Sequence, residues 1–354
     1  MQGGLFIALY DEKSLKLYLQ KGLYGFLMKP VFSQVPSSRS KHYAVLADYA
    51  CSREGTDVFF FLKRKIVYGG KIYGNKDAGS FYINGKNSPL GIKTKANLFW
   101  DESIRYTPTE TEGVFKVNGA TKAQPFIFQF HQNESTGKYI LSDELYFELG
   151  KYPYPLPSNS MQGMGFCTLT PGEVSELIEL INESNNRIDF SITEKIEKRG
   201  EETLFDDSLV DIKDGFINEA QIEFTILSSL KPFSDFLTDD YILCRQVPIS
   251  PFKPMDMDRA DICLYSMNSP IKDGTIPNIL IELKRGKANY HAYEQVNRYL
   301  RWLEQITDKE DFNSIQAFVI ADSFTKIKKE KVDMNYNEKI KLFSIEKMDF
   351  EKMV

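Results

Sequence analysis

The stretch Asn278-Ile-Leu-Ile-Glu-Leu-Lys-Arg-Gly-Lys-Ala-Asn-Tyr-His-Ala-Tyr-Glu-Gln-Val-Asn-Arg-Tyr299 decides how the rest of the chain is read. It opens as a strand, apolar from Ile279 to Leu283 except at Glu282, and passes into an amphipathic helix through Tyr293, Val296, Leu300 and Leu303. Glu282 and Lys284 lie two positions apart on the strand, so their side chains project from one face. Upstream, Ala260-Asp-Ile-Cys-Leu-Tyr265 reads as a second strand, interrupted by Asp261. Downstream, Ala317-Phe-Val-Ile-Ala321 is a uniformly apolar third. Phe216, Ala220, Phe224, Leu227 and Leu230 recur at helical spacing ahead of all three. Short apolar strands between helices predict a sheet covered on both faces, an α/β/α core.

The segment Ser266–Pro277 is short enough for a hairpin-like connection that lays Asp261 beside Glu282. Two carboxylates on neighbouring strands suit Mg²⁺, which takes one or two carboxylates and keeps several waters. A lysine beside that ion can orient a water and help deprotonate it, while the metal polarises a phosphate. Glu219 is the first candidate for a third carboxylate, and Glu223, one turn further on, is its competitor. An acid and a lysine at i, i+2 are most often a solvated ion pair. Here the apolar residues around Asp261 and Glu282 set both acids into buried strands, where a charge is costly unless paired or bound to metal.

Working outward, the chain has 354 residues, 42% apolar and 26% charged, with 26 Phe and 19 Tyr, which is the composition of a folded protein rather than a disordered one. No run of 18 uncharged apolar residues and no basic leader occur, so neither a membrane span nor a secretory signal is expected. The four cysteines (Cys51, Cys167, Cys244 and Cys263) are too far apart in sequence for a CxxC zinc site and fit a reducing cytoplasm. The net charge of −5 is uneven. Residues 1–132 hold 18 basic and 10 acidic side chains, +8, which leaves −13 for the remainder.

The N-terminal part reads as mostly β, with short runs at Asp57–Leu62, Lys65–Tyr68, Lys71–Tyr73, Phe81–Ile83, Pro125–Phe130 and Lys138–Leu141. Gly69-Gly70 and Asn84-Gly85 stand where hairpin turns are expected. Frequent short strands suggest a small barrel or sandwich. A helix is expected over 171–183, because Thr170-Pro171-Gly172-Glu173 is a capping box with proline at the first helical position. From Glu194 to Gly215, 12 of 22 residues are charged, which marks a linker. The expected organisation is therefore α+β in two domains: a β-rich, barrel-like unit over 1–190, a charged linker over 191–215, and the α/β/α unit over 216–354.

Asp261, then Glu282-Leu283-Lys284, then a helix carrying Gln295-Val-Asn-Arg-Tyr299, resembles the PD-(D/E)XK nuclease superfamily, whose core is restriction-endonuclease-like. The long run from Glu282 to Tyr299 is similar to NucS/EndoMS-type endonucleases, as are Asn218-Glu219-Ala220-Gln221 and Arg245-Gln246. The resemblance covers about 205–350. It implies a Mg²⁺-dependent endonuclease acting on double-stranded DNA, with Mn²⁺ able to substitute. Asp261, Glu282 and Glu219 would hold the metal, Lys284 would assist the water, and Gln295 and Tyr299 would brace the site. The gap between Asp261 and Glu282 is longer than that pattern has, which implies an enlarged hairpin. A homodimer would be in keeping with the superfamily.

Arg285, Lys287 and the run Lys326–Lys331 are candidates to touch phosphates. The positive N-terminal part suits DNA contact, because cations neutralise phosphates and aromatic faces stack bases. Its segment Asp57–Gly74 is similar to PUA-like barrels of the EVE, ASCH and YTH kind, which implies a pocket for a flipped base. Lys63, Arg64, Tyr68, Tyr73 and Trp100 are its candidate contacts. Restriction of foreign or modified DNA is the role this combination implies first. Mismatch or branched-structure repair, or a nuclease-like module that binds without cutting, are the alternatives.

Overall fold

In the computed structural model, residues 2–30, 39–73, 81–85, 98, 100, 105–142, 166–192, 218–228, 240–249, 258–325, 335–346 and 349–351 are described. Residues 193–215 of the expected linker and the basic run 326–331 lie outside them. Among the described residues the fold is α+β, with three sheets and six helices. No described helix is long and apolar enough to cross a membrane.

The N-terminal half contains β1 (Gly4–Ala8), α1 (Glu12–Lys21), β2 (Leu23–Gly25), α2 (Arg39–Cys51), β3 (Asp57–Leu62), β4 (Lys65–Tyr73), β5 (Phe81–Ile83), β6 (Thr107–Pro108), β7 (Val114–Val117), β8 (Ala120–Ala123), β9 (Phe126–His131), β10 (Tyr139–Leu141), β11 (Phe166–Leu169) and α3 (Pro171–Glu183). The first sheet follows the path β11-β1-β3-β4-β9-β2, with β10 added to β4 and β5 to β9. That path has two ends, so the described strands form an open, branched sheet rather than the expected barrel. β1 runs parallel to β3, which a simple meander of hairpins could not produce. β6, β7 and β8 make a small sheet of their own.

Two turn assignments change. The β3–β4 hairpin turns at Lys63-Arg64, whose φ values of 49° and 69° are the positive pair that a two-residue hairpin turn requires. Gly69-Gly70 instead sit inside β4, and the register jump from Val58↔Gly70 to Phe59↔Tyr68 makes Gly69 the extra residue of a bulge. α3 starts as its capping box predicts. The Thr170 hydroxyl accepts from the Glu173 amide, and the Glu173 carboxylate accepts from the Thr170 amide at 2.7 Å.

The C-terminal half contains α4 (Glu219–Ser228), β12 (Tyr241–Pro248), β13 (Arg259–Ser266), β14 (Ile279–Ala288), α5 (Tyr290–Ile306), α6 (Lys309–Ser314), β15 (Gln316–Phe324), β16 (Ile340–Ser344) and β17 (Asp349–Glu351). Its six strands lie in sequence order, antiparallel from β12 to β14, parallel from β14 to β16, and antiparallel at β17. Alternation sorts the side chains into two cores. Ile262, Leu264, Ile281, Leu283, Phe318 and Ile320 pack with α4 on one face. Cys263, Tyr265, Leu280, Ala317, Val319 and Ala321 pack with α5 on the other. The sheet is thus covered on both faces, as its uniformly apolar strands require.

Helix α2 ties the halves together. Val45, Leu46, Ala47, Asp48, Tyr49, Ala50 and Cys51 are all buried, and α2 packs directly against α4. One hydrophobic cluster therefore runs from Leu5, Val58 and Phe60 of the first sheet through α2 to Ile222, Ile262 and Leu283 of the second. At the sheet edges, the Thr168 hydroxyl of β11 accepts from the Arg245 amide of β12 at 2.9 Å and donates to the Arg245 carbonyl at 3.2 Å.

Candidate active site

The site forms where the β13–β14 ladder stops. The last pair is Ile262↔Ile281, so the next position on each strand is an acid, Asp261 on one and Glu282 on the other. The Leu283 amide donates to Asp261 Oδ2 at 2.7 Å, which fastens the first acid to the strand of the second. Glu282 is only 2% exposed. Lys284, two residues on and on the same face, donates from Nζ to Glu282 Oε1 at 2.5 Å. The other oxygen of Glu282 faces α5, where the Tyr299 hydroxyl lies 3.2 Å away. Its single proton is shared between Glu282 Oε2 and the Arg259 carbonyl, 2.8 Å away, and its oxygen accepts from Gln295 Nε2 at 2.6 Å. Gln295 and Tyr299 thus stand one turn apart on one helix face and act on Glu282.

The electrostatics follow from burying two like charges together. Burial, then the negative charges of Glu282 and Glu223, push the Asp261 carboxyl well above its ordinary value, against the pull of the Leu283 amide and Lys284. Burial lifts Glu282 as well, opposed by Lys284 and the Tyr299 hydroxyl. Burial pulls the Lys284 amine down, but Glu282, joined by Asp261 and Glu219, more than offsets this and holds it above its usual range. In this arrangement Lys284 is a cation and a hydrogen-bond donor, not a proton acceptor.

These donors fit a divalent cation: two crowded oxygen-donor acids, each destabilised as an anion, would both be relieved by a positive ion between them. A three-carboxylate set is not assembled, however. Among the described residues no three His, Cys, Asp or Glu side chains gather closely enough to hold a metal. Glu219, at the exposed start of α4, reaches the Arg285 amide at 3.4 Å and acts on Glu282 and Lys284 only through its charge. Its competitor Glu223 is buried and held by Arg245, whose Nε and Nη2 donate to the two carboxylate oxygens at 2.9 and 2.6 Å. An ion here would rest on Asp261, Glu282 and water.

Past Lys284 the strand carries a bulge. Gly286 has φ 76°, and its amide donates to Asp322 Oδ2 at 2.8 Å on β15. Arg285 and Lys287 flank it, both exposed, on the strand that carries Glu282.

The N-terminal candidates divide. Lys63 and Arg64 are exposed at the hairpin turn described above. Tyr68 is a correction: it is 2% exposed, packs on Phe59, and its hydroxyl donates to Asp57 Oδ1 at 2.9 Å, so it is core and cannot stack a base. Trp100 is half-buried against the core, its backbone amide and carbonyl both bonded to the Asn84 side chain. Tyr73 is half-buried and stacks on His131, ring centroids 4.1 Å apart.

Three residues of the site's surroundings were not among the candidate site residues, although Gln246 lies in a segment that carries the resemblance. Gln246 donates from Nε2 to Asp261 Oδ1 at 3.0 Å, Asp48 of α2 accepts from Arg245 Nη1 at 2.9 Å, and Asp322 closes the bulge.

No protein-family model matches the chain, and no curated protein matches it. Two solved structures are similar at low level. One is a repair endonuclease from Pyrococcus abyssi, with a TM-score of 0.23 and 14% identity over 91% of this chain and 99% of that one. The other is an EndoMS–double-stranded DNA complex, with a TM-score of 0.23 and 12% identity over 92% of this chain and 98% of that one. At such scores the reading of the site rests on its own geometry.

Proposed function

We propose that this chain is a metal-dependent endonuclease that hydrolyses phosphodiester bonds of double-stranded DNA. The observation that carries the reading is the pair of half-buried Asp261 and buried Glu282, joined through the Leu283 amide, with Lys284 on one oxygen of Glu282 and Tyr299 on the other. Mg²⁺ or Mn²⁺ held by the two acids would supply charge neutralisation at the phosphate and acidify a bound water. The residues of the chain do the rest. Lys284 brings a fixed positive charge to the side of Glu282 where charge would build up on a phosphate oxygen. Gln295 and Tyr299 hold the Glu282 carboxylate in one orientation, and Arg285 and Lys287 offer phosphate contacts along the same strand.

The N-terminal half, with its surplus of positive charge, is proposed as the recognition unit, Lys63, Arg64 and Tyr73 being its accessible candidates. Restriction of foreign or modified DNA is the biological role assigned to this pairing of a cutter with a reader. The test is incubation of the pure protein with Mg²⁺ or Mn²⁺ on plasmids with and without base modification and on mismatched duplexes. Cutting confined to modified or unmodified plasmid supports restriction, and cutting confined to mismatches transfers the role to repair. Binding without cutting in either metal removes the enzyme reading and leaves a DNA-binding module.

A further inference from the structure

Arg245 and Gln246 are consecutive residues of β12, and between them they join α2 to the acidic pair. The Arg245 side chain is buried: the residue is 7% exposed, its guanidinium spans both oxygens of Glu223, and Nη1 donates to Asp48 Oδ1, which belongs to a helix 197 positions earlier. Asp48 and Glu223 are themselves 4% and 3% exposed. The Arg245 backbone is held as firmly, both its amide and its carbonyl being bonded to the Thr168 hydroxyl. Clamped at both ends, Arg245 leaves its neighbour little choice. Gln246 takes φ 54° in the middle of a strand, a left-handed value that a residue with a side chain adopts only when its surroundings impose it. The result is that Gln246 Nε2 points at Asp261 Oδ1 at 3.0 Å and lies 3.5 Å from Glu223 Oε1.

We infer that Asp48, through Arg245 and the strained backbone of Gln246, is a positioning residue that sets the orientation of the Asp261 carboxylate. The inference rests on the metal-site reading above and extends it into the N-terminal half. It gives α2 a part in the chemistry: whatever shifts α2 against α4 shifts the oxygen that faces the cation. A triad of buried charges that served the fold alone would need neither the strained residue nor its bond to the acid.

Calorimetric titration of the full-length protein with Mn²⁺ tests this without reference to cleavage. The proteins compared are wild type, Asp48→Asn, Gln246→Leu and the double variant, each also melted by circular dichroism. Residues that orient a metal ligand typically cost about 10- to 100-fold in affinity when changed, so each single variant is expected to bind at least tenfold more weakly. Because both act on one carboxylate, the double variant is expected to be no weaker than the weaker single one. A folded Asp48→Asn protein with wild-type affinity overturns the inference, as does a double variant whose loss is the product of the two. If Asp48→Asn does not fold, Gln246→Leu still decides, since wild-type affinity there removes the last link. A wild-type chain that takes up no Mn²⁺ is a different failure, that of the metal reading itself, and takes this inference with it.

Discussion

Lys284 is the residue whose role the geometry defines most narrowly. Its amine sits on Glu282 Oε1 and is held protonated by the three acids around it. In the proposed reaction it would compete with a metal for one oxygen and present positive charge to the substrate. Lys284→Ala is expected to leave Mn²⁺ affinity unchanged or raised, because an oxygen of Glu282 is released, and to slow cleavage by at least about 100-fold, the usual cost of deleting one fixed donor at a developing charge. Parallel calorimetry and plasmid-nicking rates check both halves, and a variant that cuts at wild-type rate contradicts the role. Tyr68 shows the opposite case. A tyrosine in a strand of a basic, aromatic-rich segment reads equally as base platform or as core, and only the Asp57 carboxylate beneath its hydroxyl decides.

At the scale of elements, glycines in β4 and β14 separate two kinds of constraint. Gly70 has φ 140°, and a β-carbon there would stand 2.1 Å from the His131 carbonyl oxygen on the paired strand. Gly286 has φ 76°, but nothing lies within 4 Å of its β-carbon position. Gly286→Ala is expected to cost only the backbone preference, about 1 kcal/mol. Gly70→Ala is expected to cost several times that, since β4 and β9 must part. Urea midpoints of the two variants test the order, and equal losses would contradict it. These same strands show what periodicity does and does not reveal. Strands β3, β13, β14 and β15 were legible as short apolar runs, and helices α3 and α5 by a capping signal and an amphipathic stripe. Helix α2 was not, because almost every side chain from Tyr43 to Cys51 is buried and no polar stripe marks its turns there. Gly69-Gly70 misled for a related reason: a glycine pair serves a bulge as well as a turn, and the partner strand decides which.

Over the whole molecule, long-range pairing was the part that could not be read. Nothing local announces that β1 joins β3 in parallel, or that α2 lies against α4 and brings Asp48 to Arg245. The acids Asp261 and Glu282, by contrast, were legible as a pair because a single short connection joins their strands. Globally, the buried acids set the pH response. Burial raises the Glu173 carboxyl from 4.5 to about 7, and Asp261 and Glu282 are shifted upward too. A folded state that holds its protons more tightly than the unfolded chain gains stability as pH falls and loses it as pH rises through the raised value. The melting temperature is therefore expected to rise as pH is lowered from 8 towards 5. Glu173 alone contributes up to about 1.4 kcal/mol per pH unit within the window between its two values. Glu173→Gln, which keeps an acceptor for the Thr170 amide, should flatten the slope; a melting temperature that falls steadily below pH 8 would contradict the assignment.

In the proposed reaction Asp261 and Glu282 together hold the ion that supports strand scission. The most direct measurement of this is the initial rate of supercoiled-plasmid nicking in Mn²⁺ by the wild type, Asp261→Asn and Glu282→Gln, each near-isosteric and each removing one charge. The wild type is expected to nick, chelator to stop it, and both variants to lose at least about 100-fold. Nicking that survives either substitution at wild-type rate would contradict this role of the two acids.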